Sequence, residues 1–204
     1  MFTNATVADI LRPYEKRWTG LYDLALIVAG SLLVGLSAQI AVPLPFSPVP
    51  VTGQTFTVLM IGALFGSRRS GLSVLLYVIE GAAGLPVFAL GKGGIGVLLG
   101  PTGGYLVGFV VAAYVVGLFA EKGWDRRIGT TILAMFVGSA LMYIVALTWL
   151  FSLRYVFRAP IGAGSILAIG LYPFIVGDIL KIALAAMILP SGWKLLKFAR
   201  FAKK

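Results

Sequence analysis

The chain has 204 residues, 59% of them hydrophobic and 12% charged, with a mean hydropathy of +0.98. That much apolar surface exceeds what one soluble core can hide, so composition excludes an ordinary soluble domain and predicts an all-α integral membrane protein. Zero Cys and zero His exclude disulfides, thiol chemistry and the usual zinc and haem ligands, and the net charge of +10 sits mostly at the ends of apolar segments, as lipid-bilayer residence requires and nucleic-acid binding does not.

Residues 1–20 carry Asp9, Arg12, Glu15, Lys16 and Arg17 without a leading apolar core and cleavage site. This predicts a cytoplasmic segment, no secretory signal, and a first membrane helix retained in the mature protein. Six apolar segments then approach the roughly 20 helical residues that a hydrocarbon core of about 30 Å requires. They fall near 21–42, 49–66, 71–88, 103–120, 128–153 and 164–189. In the first, Ala25 and Ala29 stand four apart, with Gly30, Ser31 and Gly35 beyond them. Small residues at that spacing admit another helix, either within the bundle or from a partner.

Pro48 and Pro50 break the start of the second segment and predict a tilted or partly unwound span. Gln54 and Thr55, near its outer start, either line a cavity or cap the helix. Glu80 lies near the outer end of the third segment and is read as solvated at the interface. Between the third and fourth comes "GKGGIGVLLGPTGGY", residues 91–105, with seven glycines and a single lysine, Lys92. Non-helical backbone survives at membrane depth only where protein or water surrounds it. Glycine permits backbone N–H groups to approach a ligand, and the helix starting near Gly103 points its positive dipole end outward. A carboxylate suits such a place; a plain turn or close helix packing is the alternative. Gly84 and "GKG" do not complete G-x-x-x-x-G-K-[ST], so nucleotide binding is excluded here.

Tyr143 and Trp149 in the fifth segment are read as interfacial anchors or as lining a site. In the sixth, "VGDILK" places Asp178 and Lys181 three apart on one helical face. Each charge in mid-span costs about 2.5–3.5 kcal/mol on insertion scales, so the two face a cavity or each other, not lipid. Thirteen Lys and Arg residues fall in the N-terminal segment, the 2–3 and 4–5 connections and the C-terminal tail, against three (Lys92, Arg154, Arg158) on the opposite side. That asymmetry puts both termini in the cytoplasm and the glycine-rich loop outside. The predicted organisation is a single membrane domain over 1–204, with a bundle over 21–190 and a basic cytoplasmic tail over 191–204.

"PVPVTGQTFTVLMIGALFGSRRSGLSVLLYVIEGAAGLPVF", "GVLLGPTGGYLVGF" and "PFIVGDILKIALAA" occur in this order over residues 43 to 186. The combination resembles the BioY family, the biotin-binding S components of energy-coupling factor (ECF) transporters of prokaryotic cell membranes. The resemblance implies six transmembrane helices, cytoplasmic termini, and a biotin site near the outer surface closed by the loops around the first and third helices. It implies that Asp178 and Lys181 meet the ureido ring, with its two N–H donors and one carbonyl. By the same resemblance Thr102 and the N–H groups of Gly103 and Gly104 meet the valerate carboxylate, and Phe88 and Tyr105 pack on the apolar body. Lys92 stands where the family pattern has Asn or Gly, so its cation attracts the anionic ligand instead of reading the ureido group. Ala25 and Ala29 match the small-residue motif that meets a transmembrane T component, and two ATPase subunits supply energy. The chain has no ATPase motif and implies no cofactor of its own.

The prediction is therefore a biotin-capturing membrane subunit and not an enzyme, since the chain lacks His, Cys, paired in-membrane carboxylates and a Ser nucleophile with a base. The alternative is a solitary secondary carrier for biotin or another small carboxylate with Asp178 as a proton-coupled group, for which no internal repeat offers support.

Overall fold

The computed structural model describes residues 5–159 and 164–201. At the N-terminus the Thr6 N–H donates to the Asp9 carboxylate (3.0 Å) and the Asp9 N–H donates to the Thr6 hydroxyl (3.4 Å). This reciprocal cap supports a single turn, α1 (Val7–Ile10). The next helix, α2 (Lys16–Gln39), has 24 residues and is about 36 Å long. Its inward stripe consists of Gly30, Ser31, Val34, Gly35 and Ala38, mostly small residues that let the next layer approach closely.

A two-stranded antiparallel hairpin follows, β1 (Ala41–Leu44) and β2 (Ser47–Thr52), with Ala41 opposite Thr52 and an irregularity between Val42 and Leu44. Pro43, Pro48 and Pro50 explain it: each lacks an N–H and cannot continue a helix, yet each is tolerated in a ribbon with no further neighbour. The helix expected over 49–66 is thus shortened to α3 (Gln54–Phe65), 12 residues or about 18 Å. The next helix, α4 (Ser67–Ala82), begins four residues before the expected 71 and stops at Ala82, leaving 83–88 outside it.

The glycine-rich stretch folds into a short turn over Ala89–Gly91 and a small helix, α5 (Ile95–Leu99). After it come α6 (Gly103–Glu121) and α7 (Ile128–Phe151), the latter continued by a wider turn over Ser152–Val156. The expected sixth helix is broken: α8 (Ile166–Gly170) ends at Leu171 and α9 (Tyr172–Phe201) carries on through most of the predicted tail. Among the described residues four stretches are long and apolar enough to cross a membrane, Lys16–Gln39, Gly103–Glu121, Ile128–Val156 and Ile166–Leu196, and the chain is a multi-pass membrane protein.

The central element is α6, which packs against α3, α4 and α7; its Ala112, Ala113 and Val116 are almost wholly buried. Hydrogen bonds define two ends. At one, Arg69 at the start of α4 donates to Asp9 (2.8 Å) and Asp23 (2.7 Å). There too the Ser67 N–H and hydroxyl both donate to Glu121 (2.7 Å each), Arg126 donates to the Ala5 carbonyl (2.9 Å), and the Trp193 indole donates to Asp125 (2.5 Å). At the other end the hairpin meets α8, where the Ser47 hydroxyl donates to the Ile169 carbonyl (2.6 Å). Gln39 there donates to the Phe88 carbonyl (3.2 Å) and accepts from the Gly91 N–H (3.0 Å). The basic segments collect at the first end and the glycine-rich loop at the second.

Candidate functional site

A cavity of about 270 Å³ opens at the second end, beneath the hairpin and between α3, α5, α6, α7 and α9. That is close to the lower bound of about 300 Å³ for small-molecule pockets. Three aromatic rings shape one wall: Tyr105, Tyr143 and Phe174, with centroids 6.0–6.4 Å apart. The edge-to-face Tyr105–Tyr143 pair, at 88°, and the tilted Phe174 make a box that suits a compact apolar ring. The Tyr105 hydroxyl is spent on the Gly170 carbonyl where α8 ends, so this residue offers the cavity its ring.

Phe88 also lines the cavity and is only 2% exposed. Its ring meets Tyr77 edge to face at 5.5 Å. It also fills the space that a side chain at position 81 would occupy: a Cβ on Gly81 would lie 2.1 Å from the ring. The glycine in "EGAAGLPVF" is therefore what lets Phe88 turn into the site.

The polar corner is built on α9. Lys181 Nζ donates to the Thr52 carbonyl (3.0 Å), the Thr55 hydroxyl (2.5 Å) and Asp178 Oδ1 (3.4 Å), so its three protons are all engaged. Asp178 accepts in addition from the Thr55 hydroxyl (3.4 Å) and, at its other oxygen, from the Tyr143 hydroxyl. Lys181 lines the cavity; Asp178, 7% exposed, stands one side chain behind it. Hence Asp178 and Lys181 are neither lipid-facing nor a closed pair: α3, the hairpin and α7 all bond to them. A ligand reaching this corner meets an ammonium group held in place by a carboxylate that two hydroxyls fix from behind.

Of the residues singled out from the sequence, Phe88, Lys92, Thr102, Tyr105 and Lys181 lie on the cavity wall. Lys92 is exposed at the mouth. Thr102 donates to the Val97 carbonyl (3.3 Å). Gly103 and Gly104 are buried and off the wall. A Cβ on Gly103 would fall 1.7 Å from the Leu98 carbonyl oxygen, so its role here is to let α5 fold back onto the start of α6. Gln54 and Thr55 line the cavity, as does Tyr143, whereas Trp149 instead donates its indole N–H to the Gly100 carbonyl (2.9 Å). Glu80 is away from the wall; the Ser31 hydroxyl donates to it across the α2–α4 contact. Ala25 and Ala29 are exposed on the outer side of α2, and intramolecular packing uses Gly30, Ser31 and Gly35.

Sequence reasoning missed Phe174, Phe109, Met142 and the Pro48–Pro50 strand, which also line the cavity. The Pro-Val-Pro pattern was the available signal, since it forbids a helix exactly where a roof is needed. The apolar residues carry none, because helices that are apolar all round do not reveal which side faces a site.

The family model described as the BioY family matches residues 10–198. The chain is 37% identical over 166 residues to the probable biotin transporter BioY of Pyrococcus horikoshii, covering 81% of this chain and 93% of that protein. It is 38% identical over 169 residues to the biotin transporter BioY of Thermotoga maritima, covering 80% and 92%. Among solved structures, the S component for biotin from an ECF-type ABC transporter superposes with a TM-score of 0.72 at 24% identity, covering 89% of this chain and 95% of that one. At that identity the match speaks for a shared fold.

Proposed function

The chain belongs to the BioY family, and from that membership we propose that it captures biotin from outside the cell and delivers it inward as the S component of an ECF-type transporter. Its relatives are transporters, not enzymes. The observation that carries the reading is the cavity's division of labour. It brings together an aromatic box with Phe88, a Lys181–Asp178–Thr55 corner and the exposed Lys92 cation. Biotin is divided in the same way, with a ureido group at one end, an apolar bicycle in the middle and a carboxylate at the other end.

In this reading six elements traverse the bilayer: α2, α3 with its hairpin, α4, α6, α7, and α8 with α9. The basic end, where Arg12, Arg69, Arg126 and Lys194 gather, faces the cytoplasm with both termini, and the whole chain is one membrane domain. Thr102 and the neighbouring backbone receive the carboxylate, and Gly103 and Gly104 act by placing that backbone. Ala25 and Ala29 form the meeting place for a T component, whose two ATPase subunits use the ATP; the chain itself carries no cofactor.

The test is equilibrium binding of biotin to the detergent-purified chain, beside Asp178→Asn and Lys181→Ala. Tight binding by the wild type, lost in both variants, is expected. Absence of binding by well-folded wild type refutes the biotin assignment. Reconstitution of the chain alone addresses the carrier reading: accumulation driven by a proton gradient, rather than binding without accumulation, would replace the S-component reading with that of a secondary carrier.

A further inference from the structure

The polar side chains around the cavity are nearly all spoken for. Tyr143 donates to Asp178, Tyr105 to the Gly170 carbonyl and Thr102 to the Val97 carbonyl, while Lys181 spends its three protons on Thr52, Thr55 and Asp178. Both Asp178 oxygens accept hydrogen bonds. Gln54 differs. It is the first residue of α3, lines the cavity and is 4% exposed. Its Nε2 donates to the hydroxyl of Tyr77 (2.7 Å), a residue with no exposed surface that is itself wedged edge to face against Phe88. Among the described residues lining this cavity, Gln54 is the only one with a side-chain amide or carboxylate, and its carboxamide oxygen accepts no hydrogen bond. It is not sealed off either: among the described residues the unpartnered buried side-chain atoms are Asp125 Oδ1 and Arg126 Nε, both at the opposite end of the molecule.

A carboxamide is planar, so fixing Nε2 on Tyr77 fixes where Oε1 points. An oriented acceptor of this kind, largely removed from water, is costly unless a donor arrives. We propose that Gln54 is a specificity-determining residue of this site, its Oε1 accepting one N–H of the ligand's ureido group while Tyr77 holds the carboxamide in register. This inference rests on the biotin reading and deepens it. It also relieves Lys181 and Asp178 of reading every ureido atom, which their existing hydrogen bonds would make difficult. Tyr77 acts as a positioning residue: it is buried behind Gln54 and is not on the cavity wall.

The experiment is a residue-by-ligand cycle. Binding of biotin and of biotin methylated on each ureido nitrogen in turn is measured for wild type, Gln54→Leu and Tyr77→Phe. Blocking the relevant N–H is expected to weaken binding to wild type by roughly tenfold to a hundredfold. Gln54→Leu is expected to weaken biotin by a similar factor and to bind the methylated compound no worse than wild type does, because the lost partner is the same. Tyr77→Phe leaves the oxygen in place but unpins it, so it is expected to reduce the discrimination between the two ligands without abolishing it. This second variant keeps the test decisive where Gln54→Leu fails to fold. Discrimination unchanged from wild type in the folded variants, for both methylated isomers, overturns the proposal. Failure of wild type to bind biotin at all is a separate outcome: it overturns the biotin reading and this inference with it.

Discussion

Replacing Lys181 with methionine removes an ammonium while keeping most of the side-chain volume. The structure then predicts more than a lost charge. Three hydrogen bonds disappear, to the Thr52 carbonyl, the Thr55 hydroxyl and Asp178, and the hairpin loses its tie to α9. Removing one member of a buried pair typically costs about 3–5 kcal/mol, because the other charge is stranded. Here the side chains of Lys181 and Asp178 are 19% and 10% exposed, and Asp178 keeps the Tyr143 and Thr55 hydroxyls. We therefore expect about 2–3 kcal/mol for Lys181→Met. Asp178→Leu, which leaves Lys181 two acceptors and orphans the Tyr143 hydroxyl, is expected to cost a similar amount. The double variant strands no charge, so it should be less damaging than the sum of the two by about 2 kcal/mol. At roughly 2–4 °C per kcal/mol for a chain of this size, each single lowers the melting temperature by about 5–10 °C, and the double recovers part of the combined loss. The assay is thermal unfolding of the detergent-solubilised proteins without ligand. Strictly additive losses would refute the claim that the two charges are stabilised chiefly by one another and by their shared threonine.

Three other outcomes follow from the packing. Gly81→Ala pushes a methyl into the Phe88 ring, 2.1 Å away; an overpacking cost of about 1–3 kcal/mol is expected, together with weaker biotin binding, both read on one purified sample. If binding is unaffected, Phe88 does not shape the site. Asp125, in the connection between α6 and α7, is pushed up to about 6 by burial, against the opposing Trp193 N–H and the Arg126 cation. Its folded-state value lies above the unfolded one, so its contribution to stability is complete below pH 3.8 and is lost as pH rises through about 6. This amounts to on the order of 2–3 kcal/mol. Melting curves from pH 4 to 7 should show that decline in wild type and a flatter profile in Asp125→Asn; parallel profiles would contradict it. Ala25→Leu with Ala29→Leu alters only the exposed side of α2. Stability within about 0.5 kcal/mol of wild type and unchanged biotin binding are expected, with reduced co-purification of a T component. Intact co-purification would place that contact elsewhere.

The amino-acid sequence by itself determined the solvent of this protein. A chain 59% hydrophobic must be dissolved in lipid, and the grouping of Lys and Arg on one side of the connections already distinguished the basic end from the glycine-rich end. It also singled out Asp178 and Lys181, since charges in a span are too expensive to be incidental. Those are local or compositional properties, and they need no knowledge of what packs on what. The tertiary structure alone decided that Asp178 stands behind Lys181 and Tyr143, that Thr55 bridges the pair from a helix more than a hundred residues away, and that Gln54 keeps an oxygen free. It likewise assigned Gly103 to backbone packing and Phe88 to the wall. Helices with apolar residues on every side carry no stripe from which their neighbours can be inferred. Which polar atoms remain unsatisfied is therefore settled only when distant segments meet, and those leftover atoms are the ones that a ligand can use.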